Sequence, residues 1–112
     1  MLDGITTKLE RYMDLLADRQ KIVASNIANI DTPGYRTRDI DFRREFASQV
    51  RLGGPETMEV GGLPEKNDGN NVSVDREARL LAENALRFNI ASNLVRSQIR
   101  ILKKAIAEGG SG

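Results

Sequence analysis

From Val74 to Ile106 apolar residues recur at alternating steps of three and four: Val74, Ala78, Leu81, Ala85, Phe88, Val95, Ile99, Leu102 and Ile106. Ser92 is the one polar residue among these ten places, so the stretch specifies an amphipathic helix with a coiled-coil-like seam. Ser73 or Asp75 can cap its start, Asp75 and Glu77 complement the positive end of the helix dipole, and Lys103 and Lys104 complement the other end. With Gly109 as the terminator, the spacing predicts a helix over roughly 75–108, about 50 Å long.

A second seam opens the chain. Leu2, Ile5, Leu9, Tyr12, Leu16, Val23 and Ile30 follow the same alternation, with Arg19 and Asn26 interrupting it at two expected places. A helix from Leu2 to Ile30 would be about 43 Å long, more than so short a chain can cover by itself. Pro33 disfavours the α conformation at Thr32, and Gly34 supplies the positive φ of a type II turn, so the helix should stop near Asp31. Asp41 can cap a short helix that carries Phe42, Phe46 and Val50 on one face. Residues 53–72 collect Gly53-Gly54-Pro55, Gly61-Gly62, Pro64 and Asn67-Asp68-Gly69-Asn70-Asn71 and read as loop, functional or flexible.

The expected fold is therefore all-α: two long terminal helices paired as a coiled-coil-like hairpin, joined by a Gly-rich, partly irregular middle. The divisions fall at 1–31, 32–72 and 73–108, with a flexible Gly/Ser tail at 109–112.

Composition narrows the chemistry. The chain has no His and no Cys, which removes imidazole and thiol nucleophiles, the usual zinc ligands and any disulfide. Seventeen basic against 16 acidic residues give a formal charge of +1, too little to hold a polyanion, so nucleic acid is not indicated. No apolar run approaches the roughly 18 residues of a membrane span, and Met1-Leu2-Asp3-Gly4 does not open a signal peptide. No catalytic residue, metal ligand, cofactor or small-molecule substrate is expected.

Three groups of polar residues invite a functional reading. Asn26 and Asn29 share one helical face just before the helix ends, where amides either hydrogen-bond a packed neighbour or cap the terminus locally. Asp39 and Asp41, two apart, could serve acid–base or metal chemistry, but no third ligand has suitable spacing and an N-cap explains Asp41. Arg36, Arg38, Arg43, Arg44 and Arg51 form a basic stretch that suits a phosphate or a headgroup, or more simply solvent and inter-subunit ion pairs. Ala78, Ala82, Ala85 and Ala91 would permit close helix approach, and alanine is also a good helix former.

Ser25-Asn26-Ile27-Ala28-Asn29 followed by Thr32-Pro33-Gly34-Tyr35 resembles the N-terminal signature of the bacterial flagellar rod, hook and hook-junction proteins. Arg38-Asp39-Ile40-Asp41-Phe42 and Leu81-Ala82-Glu83-Asn84-Ala85-Leu86-Arg87-Phe88 are similar to the proximal-rod, FlgB-type branch of that family, with Phe88 where the branch often has Tyr. The resemblance covers both long helices and the first turn and fades across 52–71. It implies a non-enzymatic axial subunit of the basal-body rod, exported through the flagellar type III apparatus without a cleaved signal, located in the periplasmic rod and assembled helically. Its partners would be copies of itself, other rod proteins, the membrane ring and the export gate. Ser25, Asn26, Asn29, Thr32, Pro33, Gly34 and Tyr35 would then supply assembly contacts and turn geometry. Leu81, Ala85, Phe88, Val95, Ile99 and Leu102 would be one helix seam, and Leu9, Leu16 and Val23 the facing one. The alternative from another class is a small cytosolic helical adaptor or chaperone, which should be stably helical alone, whereas a rod subunit should become helical on assembly.

Overall fold

The computed structural model describes residues 2–48 and 53–110, and in it two helices of unequal length lie antiparallel along one axis. Helix α1 runs Leu2–Ala28 and helix α3 Val74–Gly110, about 40 and 55 Å at 1.5 Å per residue. They pack against each other over most of α1, as the paired-helix expectation requires. The radius of gyration is 18.7 Å, against about 13 Å for a compact chain of this length, and the extents are 72 × 25 × 19 Å. Shape and burial agree: residues 99–109 of α3 are all exposed.

Helix α1 ends at Ala28, a little before Asp31, and the cause is local. The Asn29 amide donates to the Ser25 carbonyl at 2.8 Å, the Thr32 hydroxyl donates to Asn29 Oδ1 at 2.9 Å, and the backbone tightens into turns. The Pro33-Gly34 turn follows, with Tyr35 N–H donating to the Thr32 carbonyl at 3.2 Å and Gly34 at φ +74°. Ser73 caps α3, its hydroxyl accepting from Arg76 N–H at 3.2 Å, and at the far end the helix continues through Gly109 to Gly110.

The middle segment is more ordered than a loop. Strand β1 (Arg38–Ile40) pairs antiparallel with strand β2 (Thr57–Glu59), Asp39 opposite Met58. Three-residue strands are too short to show the alternation by which a strand is recognised in a sequence, which is why 53–72 reads as loop. Between the strands lies helix α2 (Phe42–Ala47), capped by Asp41, whose carboxylate accepts from Arg44 N–H at 3.1 Å. Phe42 and Phe46 seat α2 on α1 by edge-on contacts with Tyr12, ring centroids 5.4 and 5.8 Å apart. Val50, expected on the same face, lies outside the described residues.

Among the described residues, the buried apolar side chains are Leu16, Val23, Ile40, Val72, Leu80 and Ala91, outnumbered by eight buried polar or charged residues. The α1 seam supplies Leu16 and Val23 to that core. On α3 the face toward α1 is carried by Glu77, Leu80, Asn84 and Ala91, each one residue before a position of the apolar stripe. The stripe itself stays largely open: Leu81, Phe88, Ile99 and Leu102 are each about 40% exposed, and Ile106 is 66% exposed.

Candidate functional site

What holds α3 in this rotation is a polar cluster where α1, β1 and the start of α3 meet. Asn26 is wholly buried and uses its whole amide. Its Nδ2 donates to the Arg38 carbonyl at 2.8 Å and to Glu77 Oε1, while its Oδ1 accepts from the Tyr35 hydroxyl at 2.9 Å and Arg38 N–H at 3.1 Å. Glu77, also wholly buried, accepts from Arg76 Nη1 at 2.6 Å. Arg76 reaches the other way to Asp39 at 2.6 Å, and Arg19 binds the same carboxylate with two parallel N–H bonds of 3.0 and 2.9 Å.

The chain Arg19–Asp39–Arg76–Glu77 sets two guanidinium groups against two carboxyl groups, each within hydrogen-bond reach of an opposite partner. Burial pushes the Asp39 carboxyl up, but hydrogen bonds from Arg19, the Ile40 amide and Arg76 outweigh it and hold the group below the ordinary carboxylate range. Burial likewise weakens the Arg76 guanidinium's hold on its proton, and Glu77 and Asp39 more than restore it.

A second polar cluster clasps the turn. The buried Asn70 donates to the carbonyls of Asn29 and Thr32, both at 2.8 Å, and Lys66 Nζ donates to the Ile30 carbonyl at 2.9 Å, satisfying the open end of α1. Gly34 N–H donates to the Asp68 carbonyl at 2.9 Å, and a Cβ on Gly69 would sit 3.6 Å from the Gly34 Cα. Asn71 Oδ1 accepts from Thr37 N–H at 2.6 Å, with both residues buried.

The structure thus divides the residues of the signature. Asn26 bonds a packed neighbour and Asn29 caps its own helix, so both readings of the pair hold, one for each residue. Tyr35 is half-buried against Asn26, whereas Ser25, Thr32, Pro33 and Gly34 face solvent. Of the seam residues, Leu16 and Val23 are buried, Leu9 and Val95 are half-buried, and Leu81, Ala85, Phe88, Ile99 and Leu102 are exposed. Asp39 is tied up in ion pairs and Asp41 in capping. Three arginines of the basic stretch find partners for their side chains among the described residues: Arg36 pairs with Glu59 at 2.8 Å and with Glu65, Arg38 donates to the Thr57 carbonyl at 2.9 Å, and Arg44 lies 3.4 Å from Glu56. Arg51 lies outside the described residues.

Sequence reading passes over Thr37 and Arg76, takes Glu77 as a complement to the helix dipole, and takes Asn70 and Asn71 as loop. The available signal was Arg19 and Asn26 standing at seam positions, because a polar residue on a buried stripe demands a partner.

A family model described as "Flagella basal body rod protein" matches residues 13–36, which span the second half of α1 and the clasped turn. The chain is 30% identical to the flagellar basal body rod protein FlgB of Escherichia coli (strain K12), over 97% of this chain and 99% of that protein. It is 31% identical to the FlgB of Salmonella typhimurium with the same coverage, and 30% identical to that of Borrelia hermsii over 75% of this chain and 82% of that one.

Proposed function

The chain belongs to the FlgB family of flagellar basal-body rod proteins and is a structural rod subunit, and we propose that it is exported without a cleaved signal and polymerises helically in the proximal, periplasmic rod. Its role there is mechanical rather than catalytic. Its neighbours are copies of itself, other rod proteins, the membrane ring and the export gate.

One observation carries the reading: the apolar stripe of α3 is largely uncovered in the single chain. Burying each of those side chains is worth about 1.5–3 kcal/mol, which the fold leaves uncollected and neighbouring subunits can supply. Only six buried apolar residues among those described, and a length of 72 Å, also suit a part whose partners complete it. The single chain is already helical, so order before assembly does not separate it from the cytosolic adaptor; membership of the family does.

Mass spectrometry of purified basal bodies, with the cytosolic fraction run beside them, tests the proposal. Enrichment with the basal bodies is expected. Confinement to the cytosol of flagellated cells would overturn it.

A further inference from the structure

Resting on that reading, we infer that Arg76, Glu77 and Asn84 are positioning residues for assembly: their polar ties hold α3 turned so that its apolar stripe stays open to neighbouring subunits, in a rotation that apolar packing alone would not choose. Glu77 and Asn84 are buried at 0% and 3% exposure on the face toward α1, and each stands one residue, about 100° of helix rotation, before Ala78 and Ala85 of the stripe. A carboxylate and an amide thus occupy places facing α1, while Leu81 and Phe88 of the stripe stay 39% exposed. The seam of α1 is not displaced in this way, since its Leu16 and Val23 are fully buried.

A helix with this pattern has a competing arrangement, turned by about a quarter of a revolution, in which Leu81, Ala85 and Phe88 pack on the α1 seam. There is room for it. Ala85 and Phe88 already border an open groove of about 550 Å³ whose apolar wall on α1 is Leu16, Ala17 and Ala24, and two alanines on that wall leave space for a phenyl ring. Polar contacts oppose the turn. It would draw Glu77 Oε1 off the Asn26 amide, Arg76 Nη2 off the Asp39 carboxylate 2.6 Å away, and Asn84 Nδ2 off Gln20 Oε1 at 3.0 Å. Glu77 and Asn26 are both wholly buried, so water does not replace the first of these bonds. The ties therefore act against one particular competitor, the chain's own α1, for a surface that the assembly needs free.

The chain contains no tryptophan, so Phe88→Trp places a single reporter on the stripe. In the otherwise unaltered monomer, acrylamide should quench it freely. Arg76→Ala, Glu77→Ala and Asn84→Ala together remove one base, one acid and one amide, leave the Arg19–Asp39 pair in place and give the observed rotation no substitute contact. With these three changes the quenching constant should fall severalfold as the ring turns onto α1. A role confined to clamping the helices would move the same reading the other way, because a loosened α3 exposes more of the ring. Adding Ala85→Lys, which is exposed in the observed rotation and buried in the turned one, should bring quenching back. In chains that keep Phe88, the triple substitution should lower incorporation into basal bodies at least about tenfold while helical circular dichroism is unchanged. Quenching that is unchanged or higher in the folded triple variant would overturn the inference, as would normal incorporation of a chain whose ring is protected. If the triple variant does not fold, Glu77→Ala alone, which leaves both arginines on Asp39, makes the same test. Failure of both to fold would show that the turned arrangement is not open to this helix, and the inference would fall with it. Recovery of the unaltered chain in basal bodies reads rod membership separately, so a ring that stays open to quencher refutes the positioning role alone.

Discussion

Replacing Asp39 by Asn keeps the side chain's shape and removes the charge on which two guanidinium groups converge. The amide oxygen can keep the bonds that Oδ1 accepts from Arg19 Nε and the Ile40 amide, so Arg19 loses one bond and Arg76 its one, and the two side chains are only 18% and 17% exposed, so water compensates little. Breaking a buried ion pair costs about 3–5 kcal/mol. Arg76 keeps Glu77 and both arginines retain some contact with water, which puts the expected loss near the lower bound, about 3 kcal/mol. In a domain of this size that lowers the melting temperature by roughly 12–20 °C. Urea unfolding followed by helical circular dichroism reads the loss directly. Arg36→Gln serves as the control, because its ion pairs are exposed and should be worth less than about 1 kcal/mol.

The same experiment has a pH signature. Asp39 is held below its unfolded value of about 3.9, so its contribution is fully present above about pH 5 and disappears as the pH falls through 3.9 to the folded value. The gap between wild type and Asp39→Asn should therefore be constant at neutral pH and close in acid. A loss below about 1 kcal/mol at pH 7, or a gap that does not narrow as the pH falls below about 3.9, would refute the claim that this carboxylate holds α1 to α3.

Asn26→Ala removes four hydrogen bonds and strands part of Glu77, and should cost about 3 kcal/mol, whereas Asn29→Ala should cost about 1; equal losses in urea melts would contradict the division of labour between them. Gly34→Val should destabilise by at least about 1–2 kcal/mol through backbone strain alone, since φ is +74° and no atom lies within 4 Å of an added Cβ. Unchanged stability and normal flagella in that variant would show that the turn takes another form. Ile99→Asp, at a side chain 43% exposed, should leave the monomer folded but abolish motility, while Val23→Asp, at 1%, should unfold it. Motile cells carrying Ile99→Asp would count against coverage of that face.

Both long helices were legible because their apolar periodicity persists over many turns and because the end of α1 and the start of α3 carry capping chemistry, whereas Gly109, expected to end α3, lies inside it. Asp41 as an N-cap and Gly34 in a turn were legible for the same reason, each being a local requirement met by local residues. The rotation of α3 was not. Hydrophobic spacing marks Val74 to Ile106 as the face that must be covered, but which element covers it depends on competition between contacts far apart in sequence. Here Asn26 with Glu77, and Arg19 with Asp39 and Arg76, turn the helix one position away from its stripe. The β1–β2 ribbon escaped notice because its pairing joins residues about twenty apart with no repeat in between.

The polar filling between α1 and α3 also bears on how the subunit carries load. Two helices sealed by apolar side chains alone can creep past one another, since a slip of seven residues brings equivalent surfaces back into contact. Here the same slip, about 10 Å along the axis, would carry Glu77 and Arg76 away from Asn26 and Asp39 and leave buried charges facing nothing, at several kcal/mol each. The pair is keyed rather than greased. Under shear along its long axis it should respond as a stiff strut up to the point at which the keys break, not as a pair of rods that slides.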